Sequence, residues 1–390
     1  MNVRKARKNA QGAGTIRKRA DGRWEARFTT SFDPASGKQI QKSIYGKTQK
    51  EVREKLAQIT TELDDGTYME PTKDTVGEWL DTWIETYVKY SVKPYTLDAY
   101  QRNCDNYIKP MLGNVRLAAL NAPQIQRFYN SLLTEKKLSP KTVRNIHGVF
   151  HKALEQAVKL GMIRSNSTNL CDLPKVRRKE IYPMEQEEIT AFLKAVEGCK
   201  YELVYLVTLF TGMRQGEILG LTWDCVDFQH NALYVNKQLQ KTQKVGGQYV
   251  LAPTKSGRSR MITVAPSVMD LLKKQKSQQA QMRLLVGQDW KNPWDLVFTN
   301  EFGGNLSHFT VYKTFKEIVR SIGLEQERFH DLRHSYAVVS LESGDDIKTV
   351  QTNLGHATAS FTLDVYGHVS QKMRQQSADR MEQFIQKVSG

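Results

Sequence analysis

Six side chains in the C-terminal half of this chain are suited to gripping and breaking a phosphodiester. In order they are Arg214, Lys255, His330, Arg333, His356 and Tyr366. A phosphodiester presents two non-bridging oxygens, and attack at phosphorus concentrates further charge on them. A planar guanidinium offers two donors matched to that geometry, so Arg214 and Arg333 form a candidate clamp. A lysine and two histidines can move or share protons, and a tyrosine can attack phosphorus. A free phenol has a pKa near 10, so phenolate at neutral pH costs about 4 kcal/mol, which His330 and the arginines would have to offset.

The neighbours of these residues sharpen the pattern. Arg214 follows a Thr211-Gly212 turn and opens a helix whose apolar face is Ile218 and Leu221. Glu217, one turn later, can pin the guanidinium from behind. His330 and Arg333 are one helical turn apart and share a face. His330 and His334 also have the i, i+4 spacing of a zinc-binding helix. There, however, the first histidine is usually followed by Glu; here Asp331 follows, and Arg333 would set a cation beside the metal. No metal is expected, and His330 is read as a proton acceptor or donor. Lys255 stands at a hairpin tip, where a lysine alone would be surface dressing. Tyr366 lies ten residues after His356, behind a short helix expected over 360–365, and alone would be a packing residue.

Together the segments TGMRQGE (211–217), PTKSGR (253–258), HDLRHS (330–335), LGHA (354–357) and Tyr366 resemble the tyrosine recombinase (phage-type integrase) family. The likeness is to lambda-like phage and conjugative-transposon integrases in particular. It implies that Tyr366 forms a 3′-phosphotyrosyl bond and releases a 5′-hydroxyl, with Lys255 as general acid and His356 as a second phosphate donor. It further implies a C-shaped clamp on duplex DNA and strand exchange through a Holliday junction in a homotetramer. The expected role is integration and excision of a mobile element, phage or conjugative transposon, without cofactor, metal or nucleotide. An excision factor and a host DNA-bending protein are possible partners. Three rivals share parts of the pattern: a type IB topoisomerase, a DNA-binding regulator with a dead site, and a zinc hydrolase.

Several elements must position these groups. A chain of 390 residues suggests two or three domains. Its net charge of +16 points to a polyanionic partner such as nucleic acid. Residues 1–61 alone hold 15 Lys/Arg against five Asp/Glu. No stretch approaches the roughly 18 apolar residues of a membrane span, and the basic start lacks the apolar segment of a secretory signal. Scattered cysteines (Cys104, Cys171, Cys199, Cys225) suggest reduced thiols of a cytosolic protein, and the resemblance implies a bacterial cytoplasm and association with the nucleoid.

The expected fold class is multidomain α+β. Residues 1–65 read as a basic arm, three short strands and a helix capped by Thr48, exposing Arg17, Arg19, Arg23, Arg27, Lys38 and Lys42. A sheet of this kind can lie in a major groove, and the region resembles an arm-type DNA-binding domain. Residues 74–170 read as four helices, resembling the family's core-binding (SAM-like) domain, with Lys93, Tyr95, Arg102, Lys141 and Arg144 as candidate phosphate contacts. His147 and His151 lie one turn apart on its fourth helix, a helix-face or DNA-contact pair more than a metal pair. Residues 182–390 read as a mainly helical catalytic domain with a β-hairpin set at 232–237, 249–255 and 259–264. Its tail puts Met381, Phe384, Ile385 and Val388 on one apolar stripe. That stripe could fold onto its own domain or, as the resemblance implies, dock on a neighbouring protomer.

Overall fold

A computed structural model describes residues 14–34, 36–66, 68, 72–176, 183–242, 247–254, 257–355 and 371–389. The chain forms two compact units, 1–176 and 177–390. Among the described residues, no helix is long and apolar enough to cross a membrane.

The first unit contains two separate cores. Strands β1 (Thr15–Lys18), β2 (Trp24–Phe32) and β3 (Gln39–Gly46) form an antiparallel sheet in sequence order. Alternation sends Ala26 and Phe28 of β2 to one face, where they bury against Val52 and Leu56 of α1 (Gln49–Asp64). Thr48 caps α1 by accepting from the Glu51 N–H at 3.2 Å, which contributes about 1 kcal/mol. The opposite sheet face carries Arg17, Arg27 and Tyr45.

The second core lies among α2 (Val76–Trp83), α3 (Pro94–Asn103), α4 (Lys109–Leu112), α5 (Ala122–Thr134) and α6 (Pro140–Lys159). Thr75, Asn121 and Ser139 cap α2, α5 and α6, each accepting from a backbone N–H three residues on. Helices α2 and α3 each run on through a π-helical turn, Ile84–Val88 and Cys104–Ile108. The Trp79 indole donates to the Ala153 carbonyl at 2.9 Å, tying α2 to α6 inside the bundle.

In the second unit, an aromatic cluster of Phe192, Tyr205, Phe315 and Phe329 joins α7 (Gln186–Val196), α8 (Glu202–Thr211) and α11 (His308–Ser321). Tyr205 Oη donates to the Val311 carbonyl at 2.8 Å, so the cluster's one polar tip is satisfied. Helix α12 (Asp331–Glu342) packs beside α8, and α13 (Ile347–Leu354) folds onto α12 through Ala337, Leu341, Val350 and Leu354. Short helix α9 (Gln215–Leu219) and long helix α10 (Pro266–Val286) flank this core.

The strands of this unit differ from the single hairpin set expected. β4 (Val226–Asp227), β5 (Ala232–Val235) and β8 (Arg260–Thr263) make one sheet, while β6 (Lys237–Lys241) and β7 (Tyr249–Pro253) make a second. Lys237 therefore belongs to β6, opposite Pro253, and not to the end of β5. β6 is Lys-Gln-Leu-Gln-Lys, with Leu239 as its buried anchor; its strand state comes from pairing and from α9, not from propensity. The tail forms α14 (Gln371–Ser389), and Met381, Phe384, Ile385 and Val388 are all exposed. Among the described residues, the stripe is thus open to solvent and not part of a core.

Candidate active site

Gly212 ends α8 in the left-handed conformation, φ +63°, and turns the chain sharply toward Arg214. A side chain there would have no room: a Cβ would lie 2.5 Å from the Tyr336 ring and 2.7 Å from Leu354. Arg214 then precedes α9 in extended backbone, and its N–H donates to Glu217 Oε2 at 2.9 Å. Its guanidinium donates to Glu217 Oε1 at 2.7 Å, the contact the i, i+3 spacing suggested.

Glu217 is 1% exposed and serves a second cation that sequence reasoning missed. Arg260, from β8, donates to both carboxylate oxygens at 2.7 and 3.1 Å. Burial pushes the Glu217 carboxyl up, but Arg260 and then Arg214 outweigh that and hold it down at about 2. The missed signal was phase. In Arg260-Met-Ile-Thr263 the arginine shares the inward face with buried Ile262, while Met261 and Thr263 point out.

His330 immediately precedes α12, and Arg333 sits in its first turn. Arg333 is 1% exposed, donating to the Gly212 carbonyl at 2.7 Å and the Leu354 carbonyl at 2.5 Å. Asp331 accepts three bonds from Arg328, from its backbone at 2.8 Å and its guanidinium at 2.9 and 2.7 Å. The His330 ring meets the His334 ring edge-on, with centroids 5.1 Å apart. Although His330 keeps an exposed edge, protein atoms crowd its ring. That desolvation, then His334, Arg333 and Arg214, push its pKa down to about 4. The imidazole is therefore neutral at physiological pH and able to accept a proton.

The end of α13 gathers these groups. Its last carbonyls receive three arginines in succession: Arg260 donates to Asn353 at 2.6 Å, Arg333 to Leu354, and Arg214 to Gly355 at a long 3.4 Å. Arg214, Arg333 and His330 thus share one neighbourhood, at the point where the chain continues toward His356 and Tyr366. Three of the expected residues, Lys255, His356 and Tyr366, lie outside the described residues.

In the first unit, Arg17 and Arg27 both donate to Glu25, at 2.8 and 3.2 Å, and Ser43 donates to it at 2.8 Å. Arg17 and then Ser43 hold the Glu25 carboxyl down at about 2, and these groups fold over it at the surface of a small domain. Arg19 and Arg23 lie over the Tyr45 ring, 5.4 and 6.0 Å from its centre, and Arg23 also pairs with Asp21. Arg17, Arg19, Arg27 and Tyr45 line a concavity of about 610 Å³ on this face. Lys38 and Lys42 sit beside and within β3. In the bundle, Lys93, Tyr95, Arg102, Lys141 and Arg144 are all exposed, and Arg144 Nε donates to the Pro174 carbonyl at 2.8 Å. His147 hydrogen-bonds the Tyr129 hydroxyl at 3.0 Å and His151 bonds Asn169 at 2.9 Å, so each ties α6 to a neighbouring segment.

Comparison with known proteins gives this geometry a class. Residues 181–373 match the family model "Phage integrase family", and residues 75–133 match "Phage integrase, N-terminal SAM-like domain". The chain belongs to the phage integrase family of tyrosine recombinases. A tyrosine recombinase XerC-like protein of Caldanaerobacter subterraneus subsp. tengcongensis is 29% identical over 366 residues, covering 90% of this chain and 93% of its own length. The ICEBs1 integrase of Bacillus subtilis is 24% identical over 392 residues, covering 95% of this chain and all of its own. Among solved structures, a Tn1549 transposon integrase fragment in complex with circular intermediate DNA has a TM-score of 0.66 at 20% identity, covering 79% of this chain and 99% of that one. A lambda integrase tetramer bound to a Holliday junction has a TM-score of 0.56 at 20% identity, covering 93% and 99%.

Proposed function

We propose that this tyrosine recombinase cuts and rejoins DNA through Tyr366, integrating and excising a mobile element. The observation that carries the reading is the convergence of Arg214, Arg333 and neutral His330 beside the backbone that leads to His356 and Tyr366. In the proposed step the Tyr366 oxygen attacks the scissile phosphorus while His330 accepts the phenol proton. The bond from phosphorus to the 5′ oxygen breaks, and Lys255 gives the leaving oxygen its proton. Arg214 and His356 donate to the non-bridging oxygens as charge builds there, and Arg333, whose guanidinium holds the Gly212 and Leu354 carbonyls, joins them by turning from one of those carbonyls. A 5′-hydroxyl from a partner duplex then reverses the chemistry, so the phosphotyrosyl link conserves the bond energy.

The ICEBs1 and Tn1549 likenesses support a mobile-element role over resolution of chromosome dimers, and the basic sheet face supports a separate arm-site contact. Duplex DNA is the proposed partner at core and arm sites. A homotetramer is the proposed working assembly, with the exposed stripe on α14 available to a neighbouring protomer. An excision factor and a DNA-bending host protein are proposed to set direction, in the cytoplasm of a bacterial cell. A two-plasmid assay with the element's ends tests the reading. Wild type should yield joined products, and Tyr366→Phe or Arg333→Gln should yield none. Products from Tyr366→Phe would refute the assigned nucleophile.

A further inference from the structure

We infer that Arg260 is a positioning residue of strand cleavage: through Glu217 it sets the pose of Arg214, and through Asn353 it fastens the backbone leading to His356 and Tyr366. The inference rests on the reading of Arg214 as a phosphate clamp.

The geometry is a chain of contacts from one side chain. Arg260 enters on the inner face of β8, its side chain 7% exposed, and spends its guanidinium on two targets. Nη1 and Nη2 chelate the Glu217 carboxylate at 3.1 and 2.7 Å, while Nε donates to the Asn353 carbonyl at 2.6 Å. Glu217 in turn holds Arg214 by its side chain and its backbone N–H. Without Arg260, Glu217 would face Arg214 alone and could rotate with it. Bidentate chelation removes that freedom, since a planar fork fixes the carboxylate plane. Gly355 fits the same contact: a Cβ on it would approach the Arg260 side chain to 3.0 Å, and its φ of +63° already favours glycine. Among the described residues, the charged groups facing the carboxylate are Arg260 from β8 and Arg214 from the start of α9; α13 faces the cluster with its backbone carbonyls. Arg260 acts through Glu217 and α13.

This arrangement makes a prediction that simple loss of fold does not. With both cations present, Glu217 stays ionised across the working pH range. Replacing Arg260 by a neutral residue leaves a buried carboxylate with one partner, so its pKa rises toward the working range. As pH falls through that raised value, Glu217 takes a proton and Arg214 loses its brace.

The test is single-turnover formation of the covalent protein–DNA adduct from pH 5 to 9, using full-length protein and DNA spanning the joined ends of the element. Arg260→Gln should bind that DNA within about twofold of wild type, cleave it on the order of 10²-fold more slowly through misplacement of Arg214, and show an acid-side decline that wild type lacks. Adding Glu217→Gln to Arg260→Gln should abolish the acid-side decline, because the titrating group is gone. Arg260→Lys keeps the cation but cannot chelate both oxygens, so it should cleave about tenfold slowly with a flat profile. Wild-type rates in Arg260→Lys, or a uniform loss in Arg260→Gln without new pH dependence, would overturn the inference. Arg214→Gln separates the two levels. If it still forms adduct at the wild-type rate, the clamp reading itself fails; if it is inactive while Arg260→Gln matches wild type, only the positioning role fails.

Discussion

Replacing Gly212 by alanine should damage the site by moving it, and the size of the effect follows from the geometry. The backbone at φ +63° costs a residue with a side chain roughly 1–2 kcal/mol. The added Cβ would also sit 2.5 Å from the Tyr336 ring and 2.7 Å from Leu354, closer than van der Waals contact allows. Relieving such overpacking typically costs about 1–3 kcal/mol. Alanine recovers roughly 0.4–1 kcal/mol by restricting the unfolded chain, leaving a net loss of about 1–4.6 kcal/mol. Gly323→Ala supplies the control, since φ is +78° there with open space around it; it should cost about 1 kcal/mol. The steric part matters for function because Arg333 donates to both the Gly212 and Leu354 carbonyls. Pushing Leu354 and Tyr336 away should displace that guanidinium. Urea unfolding followed by tryptophan fluorescence measures the stability, and adduct formation at a temperature where both variants are folded measures the chemistry. Gly212→Ala should lose at least tenfold more cleavage than Gly323→Ala under those conditions. Equal stability of the two variants, or full cleavage by Gly212→Ala, would refute the claim that this turn is filled to contact and sets Arg333.

Two further predictions concern charge. The Glu327 carboxyl is pushed up to about 7 by burial and then by Asp331 and Glu188, against the opposing pull of Arg328 and Lys316, and one of its oxygens is buried without a hydrogen-bond partner among the described residues. The folded state thus prefers the protonated form, so this group weakens folding as pH rises from about 4.5 to 7. Glu327→Gln should stabilise the protein at pH 8 by about 1 kcal/mol, a figure reduced for the solvent that still reaches the side chain, and by little at pH 5; urea midpoints at the two pH values check this, and a larger gain at pH 5 contradicts it. Deleting residues 1–61 should weaken binding to arm-site DNA and flatten its salt dependence while sparing cleavage at core sites, and Arg17→Ala alone should lower the salt slope by about 1. Unchanged affinity in the deletion would remove the arm-contact role from the sheet face.

Local rules made much of this legible. Thr48 and Ser139 cap where their sequences suggest, and Arg214 meets Glu217 because three helical residues bring them together. Non-local partners were not legible. Arg260 is 43 residues from Glu217, and no local pattern pairs them. The alternation around Ile262 marks Arg260 as inward but does not say what it meets. The division into two sheets was equally hidden, since it depends on which distant strand each segment pairs with. The spacing puts Arg333 on one face with His330; its depth comes from α13 folding over α12, which sets two backbone carbonyls against its guanidinium. The motifs therefore named the chemical groups, and the packing of α8, α12 and α13 decides which of them meet.

The most direct measurement traps the covalent intermediate. Full-length protein and Tyr366→Phe are each incubated, with chelator present, with DNA spanning the joined ends of the element, then denatured in detergent and resolved for protein-linked strands. Wild type should give a 3′-linked adduct on Tyr366, and Tyr366→Phe should bind DNA without adduct. An adduct in Tyr366→Phe, a 5′ linkage, or tight binding by wild type with no adduct on the element's own ends would contradict the proposed chemistry.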